Sequence, residues 1–349
     1  MNCQAEITEL LSLSARIGRD PLLVQASSGN TSIKQAGTLW IKASGKWLAH
    51  AAERETLVPV NLEELRCSMR RGEEFSGNGV SPRGEPLRAS IETTMHGVLP
   101  HRVVIHVHSV NTISWAVRRD GAARIAERLA GLHWSWIPYV ASGLPLARAI
   151  GKTIEASPET NVFILANHGL VVCGEDCGGA ESLLAKVESR LDVEAREGPP
   201  CDETLRAEID ECPGWRLPEA IELHSLATDA VSRGIMDGGV LYPCQAIFLG
   251  AKVLSIPGSM KFADALPPRK PYAAEPPFCI VRKRGVAIAK EITKTQLAIL
   301  MGLLHVVQRL DESTPILYIP EAELAHLLSQ DVYRYQQRAE KNAAGYAPG

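Results

Sequence analysis

The sequence predicts an α/β fold in which helices pack over a largely antiparallel or mixed sheet, followed by an α+β C-terminal extension. Three observations predict it. Apolar residues recur at helical spacing, as in "AEITELLSLSARIG" (5–18). Short β-branched runs come in pairs across tight turns: "TSIK" and "TLWIKAS" flank "QAG", and "FCIVRKRGVAIAKE" repeats the pattern. Helices and hairpins are interleaved irregularly, which does not fit a doubly wound parallel sheet.

The elements follow in order. After the first helix, "SSGN" (27–30) is a Gly/Ser turn leading into the first hairpin. Residues 61–71 read as helix and "GEEFSGNGVSPRGEP" (72–86) as loop. A helix from about Ser90 ends before Pro100, because the residue ahead of a proline is pushed out of the helical region. "RVVIHVHSV" (102–110) is a buried strand by composition. Helical segments cross 110–131, "WSWIPYV" is extended, and a helix lies near 144–156. "NVFILANHGLVVCGED" (161–176) reads as two strands joined at "NHG", and a long helix over 178–196 is capped by Asp176 or a nearby turn residue. "EGPPCDE" is a seam of paired prolines and charges that divides the chain into 1–198 and 199–349. Beyond it come a helix at 218–233, the apolar stretch "AIFLGAKVLSI", the second hairpin, a helix at about 293–310 and a polar helical end at 320–341.

A chain of 349 residues, 45% hydrophobic and 22% charged, can bury a sizeable core without disulfides. Its net charge of -3 gives no general attraction to nucleic acid or to anionic membranes, although local basic spots can still bind a small anion. "MNCQAEITELL" lacks the pattern of a signal peptide, and the apolar runs are too short to span a bilayer, so a cytoplasmic protein is expected. Eight cysteines are scattered with no Cys-x-x-Cys pair; Cys173 and Cys177 come closest and read as reduced structural thiols.

His106 and His108 stand out against this background. Residues two apart in a strand share a face, so both imidazoles can point at one ion while Ile105 and Val107 pack the other way. A buried histidine is often just a hydrogen-bonded core residue, but two side by side are hard to satisfy that way. His168, between Asn167 and Gly169 at a sharp turn, offers a third ligand. Three nitrogen ligands leave a coordination position open, which suits catalysis better than structure. No carboxylate follows in "HVHSVNTISW", as a cupin would place it, and the long βα alternation of an amidohydrolase barrel is missing.

Glu92 and His96 stand four apart at the start of a predicted helix. Such a glutamate can simply favour the helix dipole, or it can serve as a fourth ligand or a general base. On composition alone Glu85 and Glu155 are equal candidates, and His96 reads as a packing or supporting residue. "SSGNTS" and "KASGKW" set hydroxyls beside glycine at strand ends. They are ordinary turns, or together a concave cluster of N–H and O–H donors for phosphate, with Lys34, Lys42 and Lys46 adding positive charge.

Taken in order, "GN", "ASG", Ser-x-Glu with a histidine four after the Glu, "HVH" and "NHG" resemble the class II aldolase/adducin family, whose members include L-fuculose-1-phosphate and L-rhamnulose-1-phosphate aldolases. The resemblance covers roughly residues 5–196. It implies a three-layer α/β/α domain at 1–198, with 199–349 as the extension of longer members; no Gly-x-Gly-x-x-Gly dehydrogenase motif follows here. It implies that His106, His108 and His168 bind Zn²⁺ or another divalent ion such as Mn²⁺, Fe²⁺ or Co²⁺. Glu92 would be the acid/base and, without substrate, a fourth ligand. Gly29, Asn30, Ser44 and Gly45 would hold a substrate phosphate, helped by Ser27 and Ser90; Ile91 stands where the fuculose-phosphate enzymes have a second serine. Their catalytic tyrosine has no clear counterpart, Tyr139 being near in sequence. The implied activity is aldol cleavage of a ketose phosphate or related hydroxy-keto sugar through a metal-stabilised enediolate, in a homotetramer or dimer. Epimerisation, dehydration or decarboxylation would use the same site, and an adducin-like interaction module would use the fold without catalysis.

Overall fold

The computed structural model describes residues 3–75, 77–80, 86–266 and 276–330. The first helix, α1 (Cys3–Gly18), buries Leu10 and Leu13 completely. Each such burial contributes about 1.5–3 kcal/mol, which holds in place a helix that would be marginal alone. The strands β1 (Asn30–Gln35) and β2 (Thr38–Lys42) form the expected hairpin, and β3 (Leu57–Asn61) adds to β2. After α2 (Leu62–Arg71), a short antiparallel pair, β4 (Asn78–Val80) and β5 (Pro86–Arg88), occupies part of the segment expected to be loop. Then come α3 (Thr93–Val98), β6 (Val103–Val107), α4 (Val110–Ala116), α5 (Gly121–Arg128), β7 (Trp134–Ile137), α6 (Leu144–Ala156), β8 (Val162–Leu165), β9 (Gly169–Gly174) and α7 (Cys177–Leu191).

Seven of these strands form one sheet in the order β3-β2-β1-β6-β9-β8-β7. Every neighbouring pair is antiparallel except β7 and β8, so the sheet is mixed and largely antiparallel. The histidine strand β6 lies in the middle. Alternation divides its side chains between two faces. Ile105 and Val107 join Leu10 and Leu13 of α1 and Leu184 and Val187 of α7. Val104 joins Met95 of α3, Ile150 of α6, and Phe163 and Val171 of the sheet. Helices thus cover both faces, giving three layers.

In the C-terminal part a second sheet has the order β10-β13-β12-β11, where β10 is Trp215–Arg216, β11 Leu254–Ile256, β12 Phe278–Val281 and β13 Gly285–Ala289. The helix Lys294–Val307 follows, its start closed by a capping box between Thr293 and Gln296. This region shares a core with the first: Val110, Ile113 and Val117 of the α4 region pack with Leu241, Phe248, Ile299 and Leu303. Arg309 Nε also donates to Asn111 Oδ1 at 3.1 Å.

Several expectations are corrected. The helix expected at 218–233 is broken, because Asp229 is extended and its carboxylate accepts from Val231 N and Ser232 N, starting a new helix at Ala230. The helix expected at 178–196 ends at Leu191, where Asp192 turns extended. The expected C-terminal helix spans Glu321–Ser329, and its remainder lies outside the described residues. Strand β3 and the helix Glu203–Asp210 were not anticipated. Asp176 does cap α7, accepting from Gly179 N at 2.7 Å.

Candidate metal centre

Strand β6 delivers His106, and His108 follows just past its end; both are buried. On one side β1 pairs Asn30 with His106; on the other, β9 pairs Val171 with it. Both neighbouring chains approach β6 closely through a glycine. A Cβ on Gly29 would lie 2.7 Å from His106 O, and one on Gly169 would lie 2.5 Å from Val107 O. Asn167 adopts a left-handed φ of 52° in the turn between β8 and β9, which brings His168 to the same place.

The three imidazoles form a triangle with ring centroids 5.0 Å apart on each side. Their ligand nitrogens all lie within 4.8 Å of one another. His106 Nδ1 donates to Leu170 O at 3.0 Å, which leaves Nε2 with its lone pair. That Nε2 is buried and, among the described residues, has no hydrogen-bond partner. Burial pushes both His106 and His108 below the usual histidine range, against the opposing pull of Glu92. Three buried imidazoles around a common centre, one with a nitrogen that has no hydrogen-bond partner among the described residues, fit a divalent cation.

Glu92 sits at the N-cap of α3, and its carboxylate reaches the same centre. Its Oε2 lies 3.3 Å from His106 Nε2 and its Oε1 lies 3.1 Å from His168 Nε2. Burial opposes its ionisation, but its interactions with His106 and His168 outweigh this and hold the carboxyl well below its ordinary range. Asn30 Nδ2 donates to Glu92 Oε2 at 2.7 Å, and Ser142 Oγ donates to Oε1 at 3.3 Å. Asn30 is itself fixed from behind. Its Oδ1 accepts from His96 Nε2, and Ser32 Oγ donates to His96 Nδ1 at 2.6 Å. This assigns the His96 tautomer from the network and makes His96 a support for the carboxylate. Burial holds His96 well below the usual range, consistent with that neutral role.

A cavity of about 50 Å³ adjoins the histidines. Ser27, Gly29, Asn30, Ser44 and Ser90, all expected in the anion site, line it; Gly45 adjoins Ser44 but does not. Ser44 Oγ is buried and, among the described residues, without a hydrogen-bond partner, so it can serve a ligand. Of the three lysines expected to add charge, only Lys42 lines the cavity, with its ammonium donating to Ser27 O and Lys46 O at 2.7 Å. Lys34 is corrected: it lies four residues along β1 from Asn30, roughly 13 Å away at strand spacing, and donates to His101 O. Tyr139 packs against the C-terminal core and does not line the cavity. Ser142, Pro243, Cys244, Ile247 and Phe248 do line it, and the sequence reading did not find them.

The profile of the family described as "Class II Aldolase and Adducin N-terminal domain" matches residues 8–194. An "Uncharacterized oxidoreductase YuxG" from Bacillus subtilis (strain 168) is 29% identical over 185 residues, covering 48% of this chain and 26% of that protein. The chain therefore spans about a quarter of that relative's length. Among solved structures, the N-terminal class II aldolase domain of a conserved protein from Thermoplasma acidophilum aligns with a TM-score of 0.44 and 22% identity, covering 55% of this chain and 94% of that one. L-fuculose-1-phosphate aldolase from Thermus thermophilus aligns with a TM-score of 0.36 and 19% identity, covering 52% and 92%.

Proposed function

Because the chain belongs to the class II aldolase and adducin N-terminal domain family, we propose that it is a divalent-metal-dependent carbon–carbon lyase acting on a small hydroxy-carbonyl, sugar-like substrate. The observation that carries this reading is the buried triangle of His106, His108 and His168 with the Glu92 carboxylate against it. In this reading residues 1–198 hold the catalytic domain, and His106, His108 and His168 hold the ion. Bound there, a divalent cation would act as a Lewis acid on neighbouring carbonyl and hydroxyl oxygens and stabilise enediolate charge.

The chain's own residues then have separable tasks. Glu92 takes or returns the proton at the reacting carbon, held in place by Asn30 and Ser142. Ser27, Ser44, Ser90 and Lys42 supply donors and charge for the end of the substrate away from the histidines. Ile91 adds an apolar surface on that side.

The test is a screen of ketose phosphates and shorter hydroxy-keto compounds with the Mn²⁺-, Co²⁺- or Zn²⁺-loaded protein, alongside Glu92→Gln. The expected result is cleavage by the parent and a loss of turnover of at least about a hundredfold in the variant, with metal retained. Parent-like turnover in Glu92→Gln would refute the role of the carboxylate. Epimerised product without carbon–carbon cleavage would refute the lyase assignment, and loss of CO₂ in place of aldol cleavage would refute the hydroxy-carbonyl cleavage.

A further inference from the structure

The C-terminal region reaches into the metal centre. Cys244, buried, places Sγ 3.4 Å from His108 Nδ1. It stands at the start of a single π-helical turn, Gln245–Leu249, and such turns often occur at functional sites. The segment around it is fixed from three sides. Asn167, next to His168, donates Nδ2 to Leu241 O at 2.8 Å. Gln245 Oε1 accepts from Leu241 N at 2.8 Å, and Gln296 Nε2 donates to Phe248 O at 3.2 Å. Cys244 is therefore held against the histidine by the fold.

We infer that the C-terminal region is a working wall of the metal centre, in which Cys244 is a positioning residue for His108. This assignment rests on the three histidines holding a metal. With Nδ1 turned to Cys244, His108 presents Nε2 to the centre. A neutral imidazole that gives its Nε2 lone pair to a cation carries its proton on Nδ1, and that proton needs an acceptor. The sulfur of Cys244 supplies it, as Leu170 O does for His106. Such partners set ring orientation and raise ligand basicity.

The test uses the full chain with Zn²⁺, competed against a chromogenic chelator, and with Co²⁺, read by its visible spectrum. Cys244→Ala removes the acceptor without adding bulk; Cys244→Val removes it and fills the space with one further methyl; Cys244→Ser keeps an acceptor. Urea unfolding of the metal-free forms checks that each is folded. The expected result is Zn²⁺ affinity weakened about tenfold to a hundredfold in the valine or alanine variant and largely restored in the serine variant. Parent-like affinity in valine and alanine variants overturns the positioning role. A thiolate-to-cobalt charge-transfer band in the parent also overturns it, by making Cys244 a ligand. If the parent binds no better than His106→Ala, the metal reading itself fails, and this assignment falls with it.

Discussion

Replacing Glu188 with glutamine should stabilise the protein in a pH-dependent way. Glu188 lies on α7, where Asn111 links it to Arg309 of the C-terminal region: Asn111 Nδ2 donates to Glu188 Oε2 at 3.3 Å while Asn111 Oδ1 accepts from Arg309. The residue as a whole is partly exposed, yet its Oε1 is out of reach of solvent and, among the described residues, has no hydrogen-bond partner at ordinary geometry. Burial pushes the carboxyl from 4.5 up to about 7, against the opposing pull of Ser109 and Asn111. Below about pH 4.5 the group is protonated in both folded and unfolded chains and carries no penalty. As the pH rises from there through about 7, the unfolded chain releases the proton more readily than the folded one, so stability falls. At about 1.4 kcal/mol per pH unit, the loss reaches about 3 kcal/mol near pH 8. Glutamine keeps the shape and cannot ionise. Urea unfolding near pH 5 and near pH 8 is the assay. Glu188→Gln should gain about 2–3 kcal/mol more over the parent at the higher pH than at the lower. An equal gain at both, or a loss at the higher pH, would refute the reasoning.

Two further outcomes are expected. Asn167→Ala removes the donor shared by Leu241 O and Leu317 O and puts alanine at a left-handed φ; it should cost about 2–4 kcal/mol in urea unfolding, and an unchanged midpoint would show that the turn does not anchor the C-terminal region. Stripping metal with a chelator should lower the thermal midpoint of the parent, by up to about 4 kcal/mol in stability at a thousandfold excess of ion over Kd, and leave His106→Ala unmoved; an equal response in both proteins would count against His106 as a ligand.

The parts of the site legible in the sequence are those fixed by local geometry. His106 and His108 converge because a strand repeats every two residues, and this needs no tertiary knowledge. Glu92, Asn30 and His168 were legible as a set through an ordered series of short motifs. Lys34 shows the limit of composition: it sits on the right strand and the right face but at the wrong end, and only the ladder with β6 reveals this. Cys244 lies 136 residues from His108 and was not legible at all. Its partner is chosen by how Leu241 and Phe248 pack onto α4, and nothing near Cys244 in the sequence encodes that packing. Ser142 was missed for a similar reason, since it meets Glu92 across 50 positions. The broken helix at 218–233 reflects competition between apolar periodicity and one well-placed cap, Asp229.

Gly29 and Gly169 stand on opposite sides of β6 at the level of its histidines, each closer to the strand's backbone than any side chain permits. For redesign this makes the middle of the sheet a closed position. A single methyl on either neighbour would push the imidazole-bearing strand sideways rather than fill space. The surroundings of the three histidines can thus be altered from the cavity rim, at Ile91, Ile247 or Phe248, while the two glycines that let the neighbouring strands approach β6 have no smaller or larger substitute.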